Sequence, residues 1–200
     1  GLVREEASER RFTITVLGGG GQGGTYVLRI GLREDIQLRF GRFKGGKRIE
    51  LPTGKYVYVG SALAEKGSTS LARRLLRHAT RSGRQRAHTI RAQMMTRFRE
   101  VGLGGENLAP PQKKKKRWNV DFLLDLKTTE IADVLVIRSP ARWEARLARL
   151  LEENPETRVV EKGLGAGDDA GGTHLLRVGG GAEWWREMER KIRREIAEAG

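Results

Sequence analysis

The sequence predicts an α/β fold of the α+β kind, with a small, mainly antiparallel central sheet flanked by helices. Three observations predict it. Short segments alternate apolar and polar residues with the period of a strand, longer ones carry apolar stripes of helical period, and the two kinds interleave along 200 residues. That length suits one compact domain with appendages.

The first strand is expected over residues 12–17 (FTITVL), where alternation is clear. Six of the next seven residues, 18–24 (GGGGQGG), are glycine and read as a flexible linker or a loop over the strand end. Gly19, Gly21 and Gly24 formally spell G-x-G-x-x-G. A dinucleotide fingerprint must open a helix, whereas residues 26–30 (YVLRI) read as a strand, so the cofactor reading is rejected. Residues 36–40 (IQLRF) supply the next strand, and Pro52 and Gly54 mark a turn before another at 55–60 (KYVYVG). There Tyr56 and Tyr58 share one face and Val57 and Val59 the other. These three strands are expected to form an antiparallel meander.

Residues 68–79 (STSLARRLLRHA) predict a helix with a Ser/Thr start and an apolar stripe of Leu71, Ala72, Leu75, Leu76 and Ala79. Arg74 and His78, four apart, project from adjacent turns of one face. Residues 81–117 turn strongly basic and read as a partly mobile insertion holding a helix at 89–100, a Gly/Pro break and the run Lys113, Lys114, Lys115, Lys116, Arg117. His88 within it is expected to be solvated. Residues 118–126 are short, apolar and of open type, and 132–137 (ADVLVI) read as a buried strand. Pro140 suits the start of a helix at 141–153 that buries Trp143, Leu147, Leu150 and Leu151. Brief strands follow at 158–161 and 173–178, around a loop at 163–172. A last helix carries Trp184, Trp185, Met188, Ile192 and Ile196 as a stripe that docks on the domain or on a partner. The expected organisation is therefore an extension at 1–23, a domain at 24–178 and a C-terminal amphipathic helix at 179–200; the oligomeric state stays open.

Composition narrows the function. Lys and Arg number 39 against 25 Asp and Glu, a formal charge of +14 that favours a polyanionic partner, most simply nucleic acid. The chain has no cysteine, which excludes disulfides and thiolate metal sites. It shows neither a membrane-length apolar run nor a signal pattern, so a cytoplasmic location without a membrane partner is expected.

Phosphodiester hydrolysis needs an activated water, stabilisation of transition-state charge and an in-line backbone. Arginine suits phosphate through its permanently charged planar fork. A carboxylate suits Mg²⁺, which keeps several waters and needs only one or two protein oxygens. A tyrosine or histidine beside them can act as base or orienting partner.

The residues that fit those roles resemble the GIY-YIG nuclease superfamily, and within it the Uri-type subfamily of small archaeal and bacterial proteins. Gly24-Thr25-Tyr26 matches the first motif, with Thr for Ile; Tyr58-Val59-Gly60, followed by Ser61, matches the second. Arg74 and His78 fit its Arg-x-x-x-His helix, and Glu144 its Glu-x-x-Leu-Ala context. The block from Gly163 through Asp168 to His174 resembles a further subfamily block. Two departures stand out. Arg117-Trp118-Asn119-Val120-Asp121 replaces the usual His-Trp-His-Ile-Asp, and Asp169 and Gly171 occupy positions usually held by cysteine.

The resemblance implies a metal-dependent endonuclease acting on DNA, with RNA not distinguished, in repair or structure-selective cutting. It implies that Tyr26 and Tyr58 line the cleft, one of them ordering or deprotonating water, with the choice between them open. Arg74 would contact the scissile phosphate, His78 would serve as base or auxiliary, and Glu144 would ligate one Mg²⁺ or Mn²⁺. Lys113–Lys116, Arg117, Arg73 and Arg77 are the expected nucleic-acid contacts. Trp118 is read as either core packing or a stacking platform, and Asp121 and Asp168 as supporting or capping residues. His174 is read as a satisfied structural histidine. The alternative is a non-catalytic nucleic-acid-binding module of the same fold.

Overall fold

The computed structural model describes residues 12–116, 119–167, 169 and 171–199. Arg117, Trp118, Asp168 and residues 1–11 of the expected N-terminal extension lie outside the described residues. The central sheet is built from β1 (Thr13–Gly18), β2 (Gly24–Leu32), β5 (Gly54–Ala62), β6 (Thr129–Arg138), β7 (Thr157–Arg158) and β8 (Leu175–Val178), in the order β1-β6-β2-β5-β8-β7. Only β1 against β6 runs parallel; the other pairs are antiparallel. The fold is thus the expected α+β domain with a mainly antiparallel sheet.

The helices are α1 (Leu71–His78), α2 (Arg91–Glu100), α3 (Asn119–Leu124), α4 (Glu144–Glu152) and α5 (Ala182–Ala199). Strand alternation assigns them to two faces. Tyr26, Leu28, Ile30, Tyr56, Tyr58, Val134 and Val136 share one core with Leu71, Leu75, Met94, Phe98 and Leu123 of α1, α2 and α3. Val27, Val57, Val59, Leu135 and Ile137 share the other with Leu147, Leu151, Trp185, Met188 and Ile192 of α4 and α5. Each large side chain buried this way contributes roughly 1.5–3 kcal/mol. The last helix docks on its own domain. None of the helices among the described residues is long and apolar enough to cross a membrane.

The expected meander does not form. β2 and β5 pair directly over nine residues, which leaves no place between them for another strand. β3 (Ile36–Arg39) instead pairs with β4 (Arg48–Leu51), unforeseen in the sequence, as a separate two-stranded ribbon. The basic segment is also no loose insertion. His88, Ile90, Met94, Phe98, Leu103 and Leu108 are all buried, and His88, expected in solvent, is 2% exposed.

The glycine-rich loop is tied down by Arg138, whose guanidinium donates to the carbonyls of Gly20, Gly21 and Val101 at 2.7–2.8 Å. Its carbonyls point at a cation, the reverse of a phosphate cradle, and a strand follows it. Gln22 fastens the same loop to α1 and to the turn after α2, since its carbonyl accepts from Leu71 N–H and its side chain bonds Gly102 and Gly104.

Candidate active site

Pairing of β2 with β5 sets Tyr26 opposite Gly60 and Leu28 opposite Tyr58, so the two tyrosines lie diagonally on one face. Their ring centroids are 6.2 Å apart. Gly60 makes this possible, because a Cβ there would meet the Tyr26 hydroxyl oxygen at 2.5 Å. The second motif glycine is therefore space for the first motif tyrosine.

Helix α1 lies over that face and brings His78 to the pair. Its Nε2 is 2.6 Å from the Tyr26 hydroxyl and its Nδ1 is 3.1 Å from Asp121 Oδ1. The imidazole and the Asp121 carboxylate are fully buried, and Lys114 Nζ stands 3.6 Å from Asp121 Oδ1. Arg77 Nε is 3.7 Å from the other oxygen, Oδ2. Burial lowers the His78 pKa against the opposing pull of Asp121, so the ring favours its neutral form. Burial likewise raises Tyr26, against the hydrogen bond and charge of Arg74, and raises Tyr58. Both phenols are protonated at neutral pH.

On the edge of the same site Ser61 joins the two faces of the sheet. Its carbonyl accepts from Arg74 NH1 at 2.9 Å, and its hydroxyl donates to Glu144 Oε2 at 2.6 Å. Glu144 is the first residue of α4, where the helix dipole favours a carboxylate. Its other oxygen, Oε1, lies 3.2 Å from His174 Nδ1. Burial would raise the Glu144 carboxyl, yet the hydrogen bonds from His174 and Ser61 prevail and hold it below the usual range.

His174 also faces Asp169 Oδ2, 2.8 Å from Nε2, so each ring nitrogen meets a carboxylate. Burial opposes protonation, but the two acids outweigh it and raise the His174 pKa. The loop at 163–172 sustains this arrangement: Leu164 O accepts from the backbone N–H groups of His174 and Leu175. Gly165, at φ +75°, passes so close to Tyr58 that a Cβ would lie 3.2 Å from its ring.

The structure thus gathers Tyr26, Tyr58, Arg74, His78 and Glu144 at one end of the sheet. It corrects the assignment of Lys114. Between exposed Lys113, Lys115 and Lys116, the Lys114 side chain is wholly buried and donates to Thr80 O at 2.7 Å and His78 O at 3.4 Å. It caps the end of α1, because an ammonium can satisfy carbonyls left over at a helix C-terminus. Burial lowers its pKa against the pull of Asp121 and Asp125. It cannot reach nucleic acid. Arg73 is exposed and Arg77 half-buried, its Nε and NH2 without a hydrogen-bond acceptor among the described residues.

Sequence reasoning passed over Ser61 and Asp169 as site residues and ranked Asp121 low. For Ser61 a signal existed in its place directly after Tyr58-Val59-Gly60. Among the described residues no three His, Asp or Glu side chains gather as a ready metal cage. A single carboxylate held in its anionic form, 32% exposed, still fits an ion that keeps most of its water.

A family model described as a domain of unknown function, DUF123, matches residues 25–197. The chain belongs to the DUF123 family. No curated protein and no solved structure matches it. The DUF123 match takes in every residue of the candidate site and runs through the basic segment and most of α5.

Proposed function

We propose that this DUF123 chain is a divalent-metal-dependent endonuclease that hydrolyses phosphodiester bonds in DNA. Its Gly24–Tyr26, Tyr58–Gly60, Arg74–His78 and Glu144 motifs resemble those of the GIY-YIG superfamily, which supports this reading, with repair or structure-selective cutting as the setting. The observation that carries the proposal is Ser61, which holds a phosphate-binding type of side chain, Arg74, and a metal-binding type, Glu144, beside the Tyr26–His78 pair.

In this reading Arg74 donates to the oxygens of the scissile phosphate and opposes the charge that accumulates there. Tyr26 and His78, sharing one hydrogen bond, form the acid–base pair that takes the proton of the attacking water. Tyr58, a residue 7% exposed, orders that water at the rim. Glu144 would hold one Mg²⁺ or Mn²⁺, which supplies Lewis-acid stabilisation when bound. Ser61 and His174 keep its carboxylate ionised and aimed. Exposed Lys113, Lys115, Lys116 and Arg73, with Arg77, supply non-specific backbone contacts.

A second reading, a nucleic-acid-binding module without turnover, is favoured by one observation: Tyr26 and His78 are completely buried. Labelled duplex, branched and single-stranded DNA and RNA, incubated with Mg²⁺ or Mn²⁺, separate the two. Cutting that disappears in Glu144→Ala and Arg74→Ala supports the nuclease. Folded wild type that binds these substrates and leaves all of them intact supports the binding module.

A further inference from the structure

We propose that Asp121 is a positioning residue that fixes His78 as the proton acceptor of Tyr26. The catalytic consequence rests on the nuclease reading; the positioning does not. A neutral imidazole carries one N–H and one bare nitrogen, and the partner of each decides which is which. Asp121 lies against Nδ1 at 3.1 Å with its carboxylate fully buried. Lys114 at 3.6 Å and Arg77 at 3.7 Å favour its ionised form, which can only accept. Nδ1 therefore bears the hydrogen and Nε2 is bare. The Tyr26 hydroxyl, 2.6 Å away, must donate to it.

The direction of this bond settles the proton's route. When the Tyr26 oxygen takes a proton from water, its own O–H bond breaks and that proton passes to Nε2. His78 becomes imidazolium, stabilised by Asp121. In the opposite tautomer Nε2–H would donate to Tyr26, and no acceptor would remain for the phenolic proton. The relay is an acid–histidine–hydroxyl triad in logic, with tyrosine in the place of serine. Lys114 closes its far end: it neutralises Asp121 and caps the helix that carries His78.

The test is the ¹⁵N spectrum of the full-length protein, labelled at histidine, with activity measured alongside. Wild type should show His78 as the Nδ1–H tautomer. Asp121→Asn replaces an acceptor-only group by one that both donates and accepts, and should convert the signal to a mixture or to Nε2–H. The same variant should lose kcat by roughly 10²-fold or more with KM little changed. The double variant Asp121→Asn/Lys114→Met removes the charged partners together and guards against a folding artefact; it should keep the fold and still lose the tautomer. An Nε2–H signal in wild type, or an unaltered tautomer in both folded variants, would overturn the proposal. Absence of cutting by wild type beside an intact Nδ1–H signal would overturn the nuclease reading and leave the positioning role standing.

Discussion

Ser61 donates its hydroxyl to Glu144 at 2.6 Å while its own carbonyl accepts from Arg74, so one residue ties α4 to α1 across the end of the sheet. Only the hydroxyl depends on the side chain. Ser61→Ala should therefore release Glu144 Oε2, with Oε1 still against His174, and leave Arg74 in place. Loss of an outer partner of a metal-binding carboxylate costs on the order of 10–100-fold in metal affinity. Titration of Mn²⁺ into the variant, followed by electron paramagnetic resonance, should show a loss of that size with nucleic-acid binding in the absence of metal unchanged.

Gly60→Ala should destabilise the fold although it adds a single methyl group. The new Cβ would stand 2.5 Å from the Tyr26 hydroxyl oxygen and 2.6 Å from Cζ, inside a core that holds the ring on all sides. Overpacking of this kind costs about 1–3 kcal/mol. Urea unfolding measures it, and an unchanged midpoint would mean that the ring has somewhere else to go.

Stability should fall on mild acidification because of His88. Its Nδ1 accepts from Ile131 N–H at 3.0 Å and its Nε2 donates to Leu124 O, so the neutral ring is required. Burial first, and then the charge of Arg81, push its pKa from 6.5 to about 3. The unfolded chain binds the extra proton throughout that window. The contribution is complete above the unfolded value and is lost as pH falls below it, by up to about 1.4 kcal/mol per pH unit. His88→Gln should flatten the urea-midpoint profile between pH 7 and pH 5.

The lysine run should split by function. Lys113→Ala and Lys115→Ala, at exposed positions, should weaken DNA binding, each lowering the salt slope by about one, with thermal stability unchanged. Lys114→Ala should leave the slope alone and cost about 3 kcal/mol, since it strands Asp121 and two carbonyls in the interior. Salt-dependent binding and thermal melts of the three variants separate the two behaviours.

What was legible beforehand were features with a local cause. Alternation at Tyr56–Val59 told the two faces of β5 apart, and the Leu71–Leu76 and Trp185–Ile192 stripes told which sides of α1 and α5 are buried. The five residues of the motif do converge. What stayed hidden depends on contacts between distant segments. β4 is four residues that pair with β3 in a separate ribbon, and β1 finds β6 across 120 positions, as Thr13 finds Asp133. A run of lysines gives no sign that its second member turns inward toward a helix end. Asp121 and Asp169 matter only because separate histidines lie against them.

The candidate centre assembles from residue 26 to residue 174, and its outer support, β8, which follows every other strand of the sheet in sequence, pairs with β5 through Leu175–Val178. A chain still emerging from the ribosome, or one clipped before that strand, holds the tyrosines and Arg74 without the histidine that steadies Glu144. Under the proposed nuclease function, this order leaves Glu144 without its His174 partner until the last strand of the sheet is in place.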